Sequence, residues 1–115
     1  MEVDKTVITD FSIEGFHNYP NAPLGVEFLK YEHRHNFQIR CGYEVSHSNR
    51  EKEIFLEQEA IKNLLVDHFG DPCIFGSMSC EMIAELILEC FYPKGMIWCE
   101  VFEDGLGGAR VAIRK

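Results

Sequence analysis

Three histidines, His17, His33 and His35, are the residues of this sequence best suited to holding a metal ion. His33 and His35 begin a segment in which polar and apolar residues alternate, and His17 ends an earlier segment of the same kind. Residues two positions apart on a strand point to the same face. Two such imidazoles and a third from elsewhere leave one tetrahedral position open, as in a catalytic zinc site. From spacing alone, a hydrogen-bonded structural cluster or a surface pair of histidines is the alternative.

The composition predicts one soluble domain spanning residues 1–115, of which 46% are hydrophobic and 26% charged. The net charge of -8 argues against nucleic acid or an anionic membrane as a partner, since either needs a basic surface. No apolar stretch reaches the roughly 20 residues that cross a bilayer, and the N-terminus lacks the pattern of a signal peptide. The five cysteines are odd in number and contain no Cys-x-x-Cys, which predicts reduced thiols in a cytoplasmic protein.

Hydrophobic periodicity predicts four strands and two helices in the order strand, strand, helix, helix, strand, strand. The predicted strands cover residues 6–17, 33–47, 96–103 and 109–113, the helices cover 54–68 and 79–91, and 18–32 form a loop. This order predicts an α+β domain with a four-stranded antiparallel sheet and two helices on one face. The histidines lie on the apolar face of the second strand. Four strands leave two open edges, so we expect a homo-oligomer.

Five short segments resemble, in order and approximate spacing, the motifs of the 6-pyruvoyl-tetrahydropterin and 6-carboxy-tetrahydropterin synthase family, which has the tunnelling fold (T-fold). They are Ile13-Glu14-Gly15-Phe16-His17, His33-Arg34-His35, Asp67-His68, Ser79-Cys80-Glu81-Met82 and Glu103-Asp104. Together they span most of the chain, about residues 7–113. Two departures stand out. Arg34 replaces a glycine, and the nucleophilic cysteine that the family carries four to six residues before its His-Gly-His is absent, those positions being Leu29, Phe28 and Glu27.

The resemblance implies Zn²⁺ held by His17, His33 and His35, and a pterin or purine-like ring bound by Glu103 with Ser79, Cys80 and Glu81. It implies proton transfer by Asp67 and His68, with Glu27 as a candidate base where the cysteine is missing. The implied reaction is a lyase reaction on 7,8-dihydroneopterin triphosphate or a related compound. The implied assembly is a homohexamer, a dimer of trimers, in which strands join into a barrel and the pocket lies at a subunit interface.

Each of these residues also has an ordinary structural interpretation. Asp67-His68 can be a polar helix end, Ser79 a helix cap, Glu81 a favourable charge in a first turn and Glu103 an exposed strand-end carboxylate. Because the nucleophilic thiol is missing, the alternative function is a T-fold protein that senses, carries or sequesters a pterin- or purine-nucleotide-like ligand. An enzyme returns a product, whereas a binding protein returns the same molecule.

Overall fold

Two long strands form the centre of the fold in a computed structural model, which describes residues 1–114. The strands are β1 (Lys5–His17), β2 (His33–Val45), β3 (Cys73–Gly76), β4 (Met96–Glu103) and β5 (Gly107–Ala112), and the helices are α1 (Ile54–Phe69) and α2 (Cys80–Phe91). Short 3₁₀ helices occupy Glu27–Lys30 and Tyr92–Lys94. The α+β class and both predicted helices are therefore confirmed.

The sheet has five strands in the order β3-β1-β2-β4-β5, so the predicted four-stranded antiparallel sheet is wrong. The additional strand, β3, pairs with the end of β1 in parallel, which makes the sheet mixed. All other neighbouring strands are antiparallel. β3 has only four residues, too few for an alternating pattern to be recognised, and it begins directly after the Asp71-Pro72 turn.

The core lies between one face of the sheet and the two helices. The sheet contributes alternate residues, including Ile13, Phe37, Ile39 and Val101, because side chains on a strand alternate between its faces. Ile61 and Leu65 of α1 and Ile83 and Ile87 of α2 complete the same buried cluster. The alternation that begins with His33 and His35 and continues through Phe37 and Ile39 therefore lies on the face of the sheet that packs against the helices.

Side-chain caps fix where both helices begin. The Glu53 carboxylate accepts a hydrogen bond from the backbone N–H of Leu56 at 2.8 Å, and the Ser79 hydroxyl accepts one from Met82 at 3.2 Å. Each cap satisfies an N–H that has no partner within the helix. Ser79 is therefore a helix cap, as its structural interpretation predicted. It sets the start of α2 beside the end of β3.

All five cysteines are free thiols, and four of them are buried. Cys41 and Cys99 face each other across β2 and β4 with their Sγ atoms 3.6 Å apart. Within residues 1–114, neither α1 nor α2 combines the length and apolar character needed to cross a bilayer. The cytoplasmic location stays a prediction.

Candidate metal centre

The pairing of β1 with β2 brings the three histidines together at one end of the sheet. His17 and His33 are directly opposite each other, and His35 lies opposite Gly15. The ring centroids are 4.6, 4.9 and 5.3 Å apart, and one nitrogen from each ring lies within 4.8 Å of the others. The three side chains therefore lie close enough together to bind one metal ion.

Hydrogen bonds determine which nitrogen of each ring remains for a metal. In each case Nδ1 lies next to an oxygen that can only accept: the carbonyl of Met78 for His17 (3.0 Å), the carbonyl of Tyr31 for His33 (2.8 Å) and Oδ2 of Asp104 for His35 (2.7 Å). Nδ1 therefore carries a proton in all three rings. Metal-ligating histidines ordinarily donate their second nitrogen in this way, so the cluster presents three Nε2 atoms as ligands.

The environment of His35 Nε2 also fits a metal. This atom is buried and makes no hydrogen bond to any of the described residues, although Oε2 of Glu103 lies 3.5 Å away. A buried polar nitrogen without a hydrogen bond is unusual in folded proteins and costs free energy. Coordination of a metal ion would satisfy it.

Asp104 positions His35 and was not among the site residues predicted from the sequence. Its Oδ1 accepts from the backbone N–H of Asn36 at 2.8 Å, and its own N–H donates to the carbonyl of Asn36 at 2.8 Å. The hydrogen bond from His35, followed by the one from Asn36, lowers the pKa of the Asp104 carboxyl. Its φ of 54° places it in the left-handed region, which aspartate tolerates better than most residues. Its signal in the sequence is its place in the Glu103-Asp104 segment, as an acidic residue at the end of a strand just before Gly105.

Glu103 contacts two of the three histidines. Its Oε1 lies 3.0 Å from Nε2 of His17, and its Oε2 lies 3.5 Å from Nε2 of His35. The Cys80 thiol donates a hydrogen bond to the same Oε1, with Sγ 3.5 Å away. Burial, followed by the charge of Glu103, raises the pKa of Cys80 to about 12. At neutral pH Cys80 is therefore a neutral thiol that stabilises the carboxylate.

The histidines form part of the wall of a cleft of about 840 Å³, within the usual range for small-molecule sites. One side is the segment from Ser77 to Met82, which comprises the β3–α2 connection and the first turn of α2, and the other sides come from the β1–β2 connection and the β4–β5 turn. Seven predicted site residues line it: His17, His33, His35, Ser79, Cys80, Glu81 and Glu103. The structure thus brings the predicted metal ligands and the predicted ring-binding residues into one cleft.

The predicted catalytic residues lie elsewhere in the chain. Asp67 and His68 are exposed in the last turn of α1, where Nδ1 of His68 donates to the carbonyl of Leu64 at 2.9 Å. Glu27 begins the first 3₁₀ helix, and hydrogen bonds from backbone N–H groups lower its pKa, which makes it a weaker base. These three residues do not line the cleft of a single chain. Their catalytic roles stay predictions.

Comparison with known proteins finds a solved structure with a similar fold. No protein-family model matches the chain, and no curated protein matches it. The crystal structure of an uncharacterized protein from Wolinella succinogenes is similar, with a TM-score of 0.65 and 12% sequence identity. The alignment covers 98% of this chain and 100% of that one. At this identity the likeness shows a shared fold alone, so the chain has the α+β architecture of that protein along nearly its whole length.

Proposed function

We propose that the protein is a zinc-dependent lyase that acts on 7,8-dihydroneopterin triphosphate or a related pterin- or purine-like compound. The observation that supports this proposal best is the three-histidine cluster in the wall of the cleft, with every Nδ1 already hydrogen-bonded to an acceptor. Such preorganisation has a clear use in metal binding, and a cleft beside it gives a ligand access to the metal.

His17, His33 and His35 would hold the zinc through Nε2. Three protein ligands and one exchangeable position are the arrangement of catalytic rather than structural zinc sites. Bound there, zinc would supply Lewis-acid polarisation of a hydroxyl or carbonyl oxygen of the ligand, which acidifies the adjacent C–H bond. Asp104 keeps the His35 ring in the required orientation.

Glu103 is the proposed anchor of the ligand ring. A carboxylate can accept two parallel hydrogen bonds from the N–H and NH₂ groups on the guanidine-like edge of a pterin. The Ser79 hydroxyl accepts from Met82 and keeps its own proton free to donate. Cys80 and Glu81 lie beside it in the first turn of α2. This arrangement supports recognition of a flat, donor-rich ring in the cleft.

Proton transfer by Asp67 and His68 would require a second subunit to present them to the cleft. The proposed homohexamer, a dimer of trimers with joined strands, provides a way to do this. β5 has an open edge, and exposed apolar side chains of Tyr19, Met82 and Leu106 border the cleft, as expected of a surface that packs against another chain. Analytical ultracentrifugation that finds only monomer at micromolar concentration would exclude this assembly.

The second candidate function is a binding protein for the same class of ligand. It is favoured by the position of Asp67, His68 and Glu27, none of which lines the cleft of one chain. A protein with this metal centre and Glu103 but no proton-transfer group would hold its ligand unchanged. It would sense, carry or sequester a pterin- or purine-nucleotide-like molecule.

Mass spectrometry of the zinc-loaded protein incubated with 7,8-dihydroneopterin triphosphate separates the two functions. Release of triphosphate or of a side-chain fragment, absent with His33→Ala, would establish the lyase. Intact ligand recovered in a complex would support the binding protein. Glu103→Ala should abolish ring binding at saturating zinc, and affinity retained within about 1 kcal/mol would place the anchor elsewhere. If neither turnover nor binding is detected, both functions are refuted for this ligand.

A further inference from the structure

Glu103 contacts Nε2 of His17 and Nε2 of His35, the nitrogen atoms that remain available to a metal. Its two carboxylate oxygens lie 3.0 Å from Nε2 of His17 and 3.5 Å from Nε2 of His35. Both rings use Nδ1 for other hydrogen bonds, so the contacts with Glu103 are made by the metal-binding edge of each ring. Glu103 therefore lies at the metal centre as well as in the cleft.

We propose that Glu103 is a fourth ligand of the metal in the ligand-free protein, an inference that rests on the proposed metal site. Two ligand atoms about 2.0–2.2 Å from one ion at a tetrahedral angle are separated by about 3.4 Å. Oε2 of Glu103 lies 3.5 Å from Nε2 of His35, close to that separation, and the other oxygen, Oε1, lies 3.0 Å from Nε2 of His17. Carboxylate oxygen is also an ordinary ligand of zinc alongside histidine nitrogen.

The surroundings of Glu103 allow it to leave the metal. Its side chain is 34% exposed, so it has room to turn away from the histidines. The neutral Cys80 thiol holds Oε1 by a single sulfur hydrogen bond, which is weak. The same carboxylate is the proposed acceptor for the ligand ring, and an oxygen atom engaged with the ring is lost to the metal. Ring binding would therefore withdraw Glu103 and open the position that a ligand oxygen needs.

Cobalt substitution tests this inference without any assay of activity. Co²⁺ reports its coordination through visible absorption, and a metal-bound water at a three-histidine site titrates near pH 7. With Glu103 bound, the cobalt spectrum of the wild-type protein should not change between about pH 6 and 8.5. Glu103→Ala should change the spectrum, introduce a titration near pH 7 and weaken Co²⁺ affinity by roughly tenfold or more. Glu103→Gln should resemble Glu103→Ala, because a neutral amide is a poor ligand for zinc-like ions.

Glu85→Ala is the control, because it removes an exposed carboxylate of α2 that does not line the cleft, and its cobalt spectrum should equal that of the wild type. Identical spectra and pH profiles for wild type and Glu103→Ala, with circular dichroism unchanged, would overturn the role of Glu103. If that result is accompanied by loss of Co²⁺ in His33→Ala, the three-histidine site stands and only the fourth ligand is refuted. If the wild-type protein binds no Co²⁺ or Zn²⁺, the metal site and the fourth ligand are refuted together.

Discussion

Nδ1 of His35 lies 2.7 Å from Oδ2 of Asp104, and this hydrogen bond joins the start of β2 to the turn that follows β4. The same carboxylate accepts from the backbone of Asn36, one residue beyond His35. Asp104 is thus fixed at both of its oxygens and in turn fixes the imidazole. A carboxylate in this position also increases the basicity of the opposite ring nitrogen, which strengthens it as a metal ligand.

Replacing Asp104 with asparagine should therefore weaken zinc binding by about 10–100-fold, the usual cost of losing such an outer hydrogen-bond partner. Competition with a chromophoric chelator measures this affinity directly. Glu14→Gln is a suitable control, because Glu14 pairs with Arg34 through the exposed side of the same two strands. Equal zinc affinity for Asp104→Asn and the wild type would mean that Asp104 does not support the metal site.

His33→Ala removes one of the three proposed ligands, so zinc affinity should fall by more than the roughly 10–100-fold expected for an outer partner. Elemental analysis after dialysis should find the variant depleted of zinc. His47→Ala provides the comparison, because His47 lies in the exposed turn after β2, and it should retain the wild-type zinc content. A full equivalent of zinc on the His33 variant would remove this residue from the ligand set.

Gly15 lies opposite His35, and a methyl group there should destabilise the fold. A Cβ at this position would lie 2.6 Å from the Phe75 ring and 3.0 Å from the Phe37 ring, both of which are buried. Overpacking of this kind costs about 1–3 kcal/mol. Urea unfolding followed by the fluorescence of Trp98 measures the change for Gly15→Ala.

Gly107→Ala is the control for this substitution, because nothing lies within 4 Å of a Cβ built at Gly107. Its unfolding free energy should stay within about 0.5 kcal/mol of the wild type. A Gly15→Ala protein equally close to the wild type would show that the two phenylalanine rings move aside without cost.

Cys80 should be the slow thiol and Cys90 a fast one in alkylation of the metal-free protein. Thiolate is the reactive form, and the pKa of Cys80 is raised to about 12, so almost none is ionised at pH 8. Because the shift is upward, the rate at Cys80 should keep rising with pH well above the usual thiol range. Peptide mapping after brief iodoacetamide treatment should find Cys90, which is exposed, modified first. Equal labelling of the two cysteines at pH 8 would contradict this environment for Cys80.

The sequence could predict which face carries the histidines, but not how the two strands align. Alternation around His33 and His35 places them on the apolar side, as the structure has them. Only the strand register places His17 opposite His33, and a shift of one residue would turn it to the other face. Two of the three Nδ1 acceptors are backbone carbonyls, of Met78 and Tyr31, and a backbone group leaves no signal in the residue types.

Short strands and contacts made by packing leave little signal in a local sequence pattern. β3 was missed because four residues, Cys73–Gly76, are too short to show a period and pair in parallel with a distant strand. Glu103 is two residues from Val101 on β4, so its side chain lies on the same face of the sheet, and it lines the cleft. Asp67 and His68 match a motif of the family that the sequence resembles, yet they do not line the cleft of a single chain. Where they lie relative to the cleft depends on packing and assembly, which a local sequence pattern does not encode.

The pairing of β1 and β2 along their full length positions the three histidines, and the segment that connects the two strands lies outside this ladder. Both strands are 13 residues long, and the pair His17 and His33 closes their ladder at the end where residues 18–32 leave it. Insertions or deletions that retain Tyr31, whose carbonyl accepts a hydrogen bond from His33, can reshape one side of the cleft, where Tyr19 and Leu29 lie, while the strand ladder holds the imidazoles. The cleft wall can thus vary through engineering or divergence while the three-histidine cluster keeps its geometry.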